Sequence, residues 1–270
     1  MQSEIGSHTP DLASLIAPVK PGDSLAFNQL AKTYNFANTS NVRATFTRLA
    51  IDECRQRSRP IAALDIGCGR GIGRRFEYVR AIREHVDEFW GIEPDANVKP
   101  ADGIFDHFET AILETATLPD NHFDLAYAYM VMEHVPQPRA FMQVAARVLK
   151  PGGVFLFATP NSRHYFTLIA KTAHTLKIDE VILRLVHGKA KKEDYHYPVK
   201  YLFNSERQIA IASQDLGLRQ PECIYLEPEG PKGYLPGPLR PVLHVMNCKR
   251  RVIRNPRTLA TIIGRITKAT

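Results

Sequence analysis

Asp65, Gly67, Gly69 and Gly71 occupy alternate positions as a mostly apolar run, 61–66, comes to its end, and Glu93 stands 28 residues beyond Asp65 at the close of a second apolar run, 89–92. An apolar run that carries an acid and then meets spaced glycines reads as a strand entering a tight loop. Glycine has no Cβ and tolerates φ > 0, so a ligand can lie against the backbone while the next helix turns its free amides toward an anionic end. An acid closing the second strand is placed to accept hydrogen bonds from both ribose hydroxyls of an adenosine. The dinucleotide fingerprint Gly-x-Gly-x-x-Gly is not met, because Ile72 and Arg74 fall at the completing positions. The spacing therefore favours a nucleoside with an anionic end and disfavours a dehydrogenase.

Such residues need an open α/β sheet to hold them. The pattern predicts a first crossover helix over 74–86, a third strand over 108–113, a fourth over 123–129 and a fifth over 154–158, the last after the turn Lys150-Pro151-Gly152-Gly153. A helix over 139–149 joins the fourth strand to the fifth, and Asn204-Ser205-Glu206 caps another over 207–216. Strands six and seven are expected over 219–226 and 259–265. The stretch 94–105 is short and holds Pro100, so the second crossover helix is abbreviated. Tyr129, closing the fourth strand, lies beside the first strand in the switch-point crevice where ligands of open α/β sheets bind. Ahead of the sheet, Leu25, Phe27, Leu30 and Tyr34, then Val42, Phe46 and Leu49, recur at helical spacing and give two helices broken over 35–41.

The order Asp65-x-Gly67-x-Gly69-x-Gly71, Glu93, Glu114-Thr115-Ala116-Thr117-Leu118-Pro119, Phe123-Asp124-Leu125, Glu133-His134-Val135-Pro136 and Thr159-Pro160-Asn161 resembles the class I S-adenosylmethionine-dependent methyltransferases. Within them it is similar to the small-molecule enzymes of ubiquinone and menaquinone biosynthesis. The resemblance implies a Rossmann-like doubly wound α/β fold. Its seven-stranded sheet is mostly parallel with the last strand antiparallel, and carries N-terminal helices and helical lid insertions. It implies four regions: leader and lid helices over 1–58, the S-adenosylmethionine-binding core over 59–161, a lid insertion over 162–203, and the rest of the sheet over 204–270 with an inserted basic amphipathic helix over 239–253. S-adenosylmethionine is the implied cofactor and S-adenosylhomocysteine its product. Asp65, Gly67, Gly69, Gly71, Glu93 and Tyr129 are the implied cofactor residues, with Glu114 taking the adenine amino group and the Thr115 amide meeting the ring. Tyr34, Tyr195 and Tyr197 are expected to line the lid and the substrate.

Methyl transfer from a sulfonium is an in-line displacement that needs positioning more than covalent machinery. A hydroxyl acceptor also needs a base, and His134 and His196 are the candidates. Some related ubiquinone enzymes hold a divalent cation through two glutamates and a histidine; Glu133 and His134 match part of that set, but Met130 stands in the remaining glutamate's place, so no metal is expected.

Net charge is +7, and from Gly230 onward there are nine basic residues and no acid, so the core is nearly neutral and the tail basic. Cys54, Cys68, Cys223 and Cys248 are scattered without a Cys-x-x-Cys pair, and neither a signal peptide nor an 18-residue apolar run occurs, which fits a cytoplasmic setting. Tyr129-Met130-Val131-Met132 stands where an Asn/Asp-Pro-Pro-Tyr sequence would mark methylation of a base or glutamine nitrogen. The expected acceptor is a small or lipid-like molecule, methylated at oxygen, with nucleic acid disfavoured and peripheral membrane contact through the 239–253 helix as one reading of its basic face. The rivals are an RNA methyltransferase using the tail and a non-catalytic cofactor-binding partner subunit.

Overall fold

Among the described residues seven strands form one sheet, in the order β3 (His107–Glu109), β2 (Glu88–Ile92), β1 (Ala62–Ile66), β4 (Phe123–Tyr129), β5 (Leu149–Pro160), β7 (Thr261–Thr267) and β6 (Glu222–Leu226). The computed structural model describes residues 41–164, 199–227 and 255–270. The expected leader and its helices with Tyr34, most of the lid insertion with Tyr195, His196 and Tyr197, and the basic helix over 239–253 lie outside the described residues.

The chain enters through α1 (Val42–Arg55), whose first turn is capped by Asn41, its side-chain oxygen accepting the Ala44 N–H. Strand β1 (Ala62–Ile66) is buried along its whole length, pairing with β2 (Glu88–Ile92) on one side and β4 (Phe123–Tyr129) on the other. Between β1 and β2 runs α2 (Phe76–Arg83). It starts later than the periodicity predicts, because Gly73 and Arg74 both hold positive φ, 59° and 65°, which no helix accepts.

The third strand is a correction. β3 spans only His107–Glu109, and the expected continuation to 113 is instead irregular chain with a bend at Ala111 that enters a turn at Leu113. At the sheet edge its Phe108 is 38% exposed, so an apolar residue there does not report a buried strand. The shortened second crossover helix expected before β3 is a further correction, for no helix occurs among residues 94–106. Strand β4 is followed by α3 (Pro138–Val148), with proline in its first turn, and by β5 (Leu149–Pro160), longer than expected because it resumes pairing with β4 after a register shift. Then α4 (Glu206–Ser213) begins at Ser205, whose hydroxyl accepts the Gln208 N–H, as the capping pattern predicted. Strands β6 (Glu222–Leu226) and β7 (Thr261–Thr267) complete the sheet, and β7 is antiparallel to both its neighbours.

Alternating residues of each strand feed two cores. Phe46, Val79, Ile82, Phe89, Tyr127 and Leu156 pack on the face covered by α1 and α2. Leu64, Ala126, Phe155, Phe157, Phe141 and Ile209 pack on the face covered by α3 and α4. With helices on both faces, the open part of the sheet is the carboxyl rim of its parallel strands, above the β1/β4 switch point.

Candidate active site

At that rim the loop after β1 folds over the end of β2. The Gly67 and Cys68 amides both donate to the Ile92 carbonyl, at 2.8 and 3.0 Å. Gly67, Gly69 and Gly71 hold φ of 66°, 48° and 86°. At Gly67 the absence of a side chain also decides the packing, since a β-carbon would lie 2.6 Å from Val131 Cγ2 in the loop after β4. The two loops thus approach each other with no room to spare.

Glu93, just beyond β2 and 5% exposed, turns its carboxylate to this loop. One oxygen accepts the Gly69 N–H at 2.8 Å and the other the Asp95 N–H at 3.1 Å. A carboxylate offers about four lone-pair sites, so acceptor capacity remains for a ligand's hydroxyls. Asp65 is brought to the same rim but faces inward: it is 3% exposed and accepts the Tyr127 hydroxyl at 2.8 Å. Burial pushes its carboxyl up to about 8, against the Tyr127 hydrogen bond and with a further push from Glu93. Its hydrogen bond ties the end of β1 to β4.

Tyr129 closes β4 half-buried, its ring edge-on to Phe46 with centroids 5.2 Å apart. Burial pushes its phenol up to about 12, opposed by a hydrogen bond with Arg43. Arg43, in the first turn of α1, is exposed and reaches over Gly73, so its guanidinium joins the glycine loop to Tyr129. Sequence reasoning missed this cation. The Asn41 cap marks where α1 begins, but the reach of Arg43 to the loop depends on how that helix crosses the rim. Met130, next along, holds φ of 55° while its N–H bonds the Ala158 carbonyl at 2.8 Å, a left-handed conformation that β5 enforces at the crevice.

Glu114 and Thr115 lie in the turn after β3, half-buried and exposed, with the Thr115 hydroxyl donating to the Ile112 carbonyl. His134 is half-buried in the turn after β4, its backbone N–H bonded to the Val131 carbonyl. Its neighbour Glu133 is buried and meets the Thr159 hydroxyl, a contact that sequence reasoning missed. Among the described residues no group of three or more histidine, cysteine or acidic side chains is arranged to hold a metal ion. The arrangement therefore offers a backbone cradle with a cation at one end and a hydrogen-bonded carboxylate at the other, which fits a nucleoside carrying an acidic tail.

A family model described as a methyltransferase domain matches residues 35–201. A ubiquinone biosynthesis O-methyltransferase of Hahella chejuensis is 31% identical over 127 residues, 43% of this chain and 50% of that protein. One from Xanthomonas oryzae pv. oryzae is 31% identical over 163 residues, 56% of this chain and 64% of that protein. The chain spans about half the length of the first of these curated relatives. Among solved structures, a geranyl diphosphate methyltransferase in complex with SAM superposes with a TM-score of 0.55 at 14% identity, covering 96% of this chain and 95% of that one. A methyltransferase of Thermotoga maritima, described as a possible histamine N-methyltransferase, superposes with a TM-score of 0.51 at 15% identity, covering 84% of this chain and 91% of that one. At these identities the two superpositions are likenesses of fold.

Proposed function

This chain belongs to the methyltransferase-domain family, and from that premise we propose that it transfers the methyl group of S-adenosylmethionine to an oxygen of a small-molecule or lipid-like acceptor. The observation that carries the reading is the cradle itself: glycine-loop amides against Glu93, with Arg43 over the loop's far end. Bound there, S-adenosylmethionine supplies an electrophilic methyl carbon on a sulfonium, which an acceptor lone pair displaces in line.

The chain's own residues then have separate tasks. Glu93 accepts the ribose hydroxyls while the Gly69 and Asp95 amides keep its carboxylate in place. Arg43, steadied by Tyr129, takes the amino-acid carboxylate as a charge-assisted hydrogen bond. Glu114 and the Thr115 amide take the adenine edge. Asp65 ties the end of β1 to β4 through Tyr127. His196 or His134 removes the acceptor's hydroxyl proton. Oxygen as the methylated atom is supported by the O-methyltransferase relatives, which match 31% of positions in the aligned stretches.

Isothermal titration with S-adenosylmethionine, S-adenosylhomocysteine and NAD in parallel tests the cofactor. Binding of both sulfur nucleotides without NAD is expected; NAD binding alone removes the reading. An acceptor screen beginning with phenolic and lipid-like hydroxyls, followed by product mass, then tests the oxygen. Turnover only on RNA, with binding that weakens steeply with salt, would favour the rival use of the basic tail.

A further inference from the structure

Glu109, the last residue of β3, holds two neighbours at the carboxyl rim, one with its main chain and one with its side chain. Its carbonyl accepts the Glu93 N–H at 3.2 Å, so the acid proposed for the ribose leaves β2 bonded to it. Its Oε2 accepts the Thr117 N–H at 2.9 Å, across the loop that carries Glu114 and Thr115. Within that loop the Thr115 and Ala116 amides both donate to the Ile112 carbonyl, at 3.1 and 3.0 Å. Leu113, Ala116 and Leu118 are buried and seat the loop on the core, while Thr115 and Thr117 are exposed.

We infer that Glu109 is a positioning residue for nucleobase recognition. It fixes the loop 110–117 relative to Glu93, so that Glu114 and the Thr115 amide meet the base of a nucleoside whose ribose Glu93 holds. The inference rests on the proposed cofactor site for its ligand, but the hold on Thr117 does not depend on it.

The apolar seats cannot supply this placement alone, because burial of apolar surface is non-directional. A hydrogen bond from a backbone amide to a carboxylate is both directional and charge-assisted. Telling one base from another needs donors and acceptors held within about 0.5 Å of their working geometry. Glu109 is half-buried and Thr117 exposed, so water can take the Thr117 amide once the carboxylate is removed. β3 itself is held by backbone pairing with β2, Ile92 lying opposite Glu109. Truncating Glu109 should therefore loosen the loop and leave the chain folded.

Calorimetric titration of the full chain with S-adenosylhomocysteine and with S-inosylhomocysteine reads base discrimination as a ratio of affinities. The second nucleoside carries an oxo group and a ring N–H where adenine has its amino group and ring nitrogen, so both base contacts are reversed. A general loss of stability or of negative charge changes the two affinities alike and leaves the ratio. The wild type should favour the adenine nucleoside about tenfold or more. Glu109→Ala should bring the ratio to within about threefold, whereas Glu109→Gln, whose carbonyl still accepts the Thr117 N–H, should keep most of it. An unchanged ratio in Glu109→Ala, or no preference in the wild type, overturns the inference. Loss of the ratio in Glu109→Gln also overturns it, since the carboxylate would then meet the base itself. If Glu109→Ala does not fold, Glu109→Asp keeps the charge and shortens the reach, and should lose the ratio in the same way; a wild-type ratio there overturns the inference. Hydrogen exchange of the Thr117 amide without ligand should be about tenfold faster in the alanine or aspartate variant than in the wild type, and equal exchange overturns it. Faster exchange in a chain that binds neither nucleoside supports the hold and counts against the cofactor reading instead.

Discussion

Asp65 and Glu93 stand at the carboxyl ends of neighbouring strands, and their surroundings give them opposite tasks. Glu93 is held by two backbone amides with acceptor capacity to spare, so its loss should be felt by the ligand. Glu93→Ala is expected to weaken S-adenosylhomocysteine binding by about 2 kcal/mol, roughly thirtyfold, with Glu93→Gln recovering part because its carbonyl still accepts. Titration calorimetry checks both, and unchanged affinity in the alanine variant would remove Glu93 from the cofactor site. Asp65 is buried with its carboxyl raised to about 8. Because that lies above the value in the unfolded chain, the stability it lends is complete below about pH 4 and is lost as pH rises through about 8. Glu133, raised in the same sense to about 7, adds to the loss. Asp65→Asn should therefore flatten part of the fall in melting temperature between about pH 6 and about pH 9, and parallel curves for the two proteins would assign the titration to other groups.

The packing of β5 against β7 shows what an element asks of one residue. Phe157 pairs in register with Gly264, and a β-carbon on that glycine would overlap the Phe157 ring. Since Phe157 is wholly buried, the ring has nowhere to retreat. Gly264→Ala should destabilise the fold by about 1–3 kcal/mol in urea unfolding, while S-adenosylhomocysteine affinity of the folded fraction stays near wild type. None of this was legible in the sequence, where Gly264 interrupts a β-branched run. The central strands were legible because β1, β2 and β4 carry apolar runs that end at or beside the residues proposed for the site, Asp65, Glu93 and Tyr129. β3 was not, for His107–Glu109 is held at an edge by backbone pairing with β2, and its side chains are exposed or half-buried. The residues proposed for the cofactor were chosen by type and spacing, and the fold brings Asp65, the glycine loop, Glu93 and Tyr129 to one rim. Arg43 was not legible, because its meeting with Tyr129 and Gly73 depends on how α1 crosses the rim, and the left-handed conformations of Arg74 and Met130 follow from tertiary contacts that their side chains do not announce.

Across the whole molecule, the carboxyl rim divides into two territories. The cradle proposed for the cofactor lies over β1, β2 and β4, built from residues between Arg43 and Val131. Toward the other edge, β5 and β6 flank the start of β7, where Pro160 and Leu226 both pair with Thr261. His164 and Glu227 meet there, 3.8 Å apart and almost wholly buried, and Asn161 donates to the Arg257 and Leu259 carbonyls. Arg265 ties this edge back to α1 through Glu222 and Glu53. Under the proposed transfer the cofactor falls to the first territory, and proton removal is expected of His196, outside the described residues. His196→Ala should lower kcat on an identified hydroxyl acceptor by about 100-fold, most strongly at neutral pH, yet leave S-adenosylhomocysteine affinity within about twofold. If the affinity falls together with kcat, the loss is not that of a base alone, and the same pair of measurements on His134→Ala, in the turn after β4, decides between the two candidates.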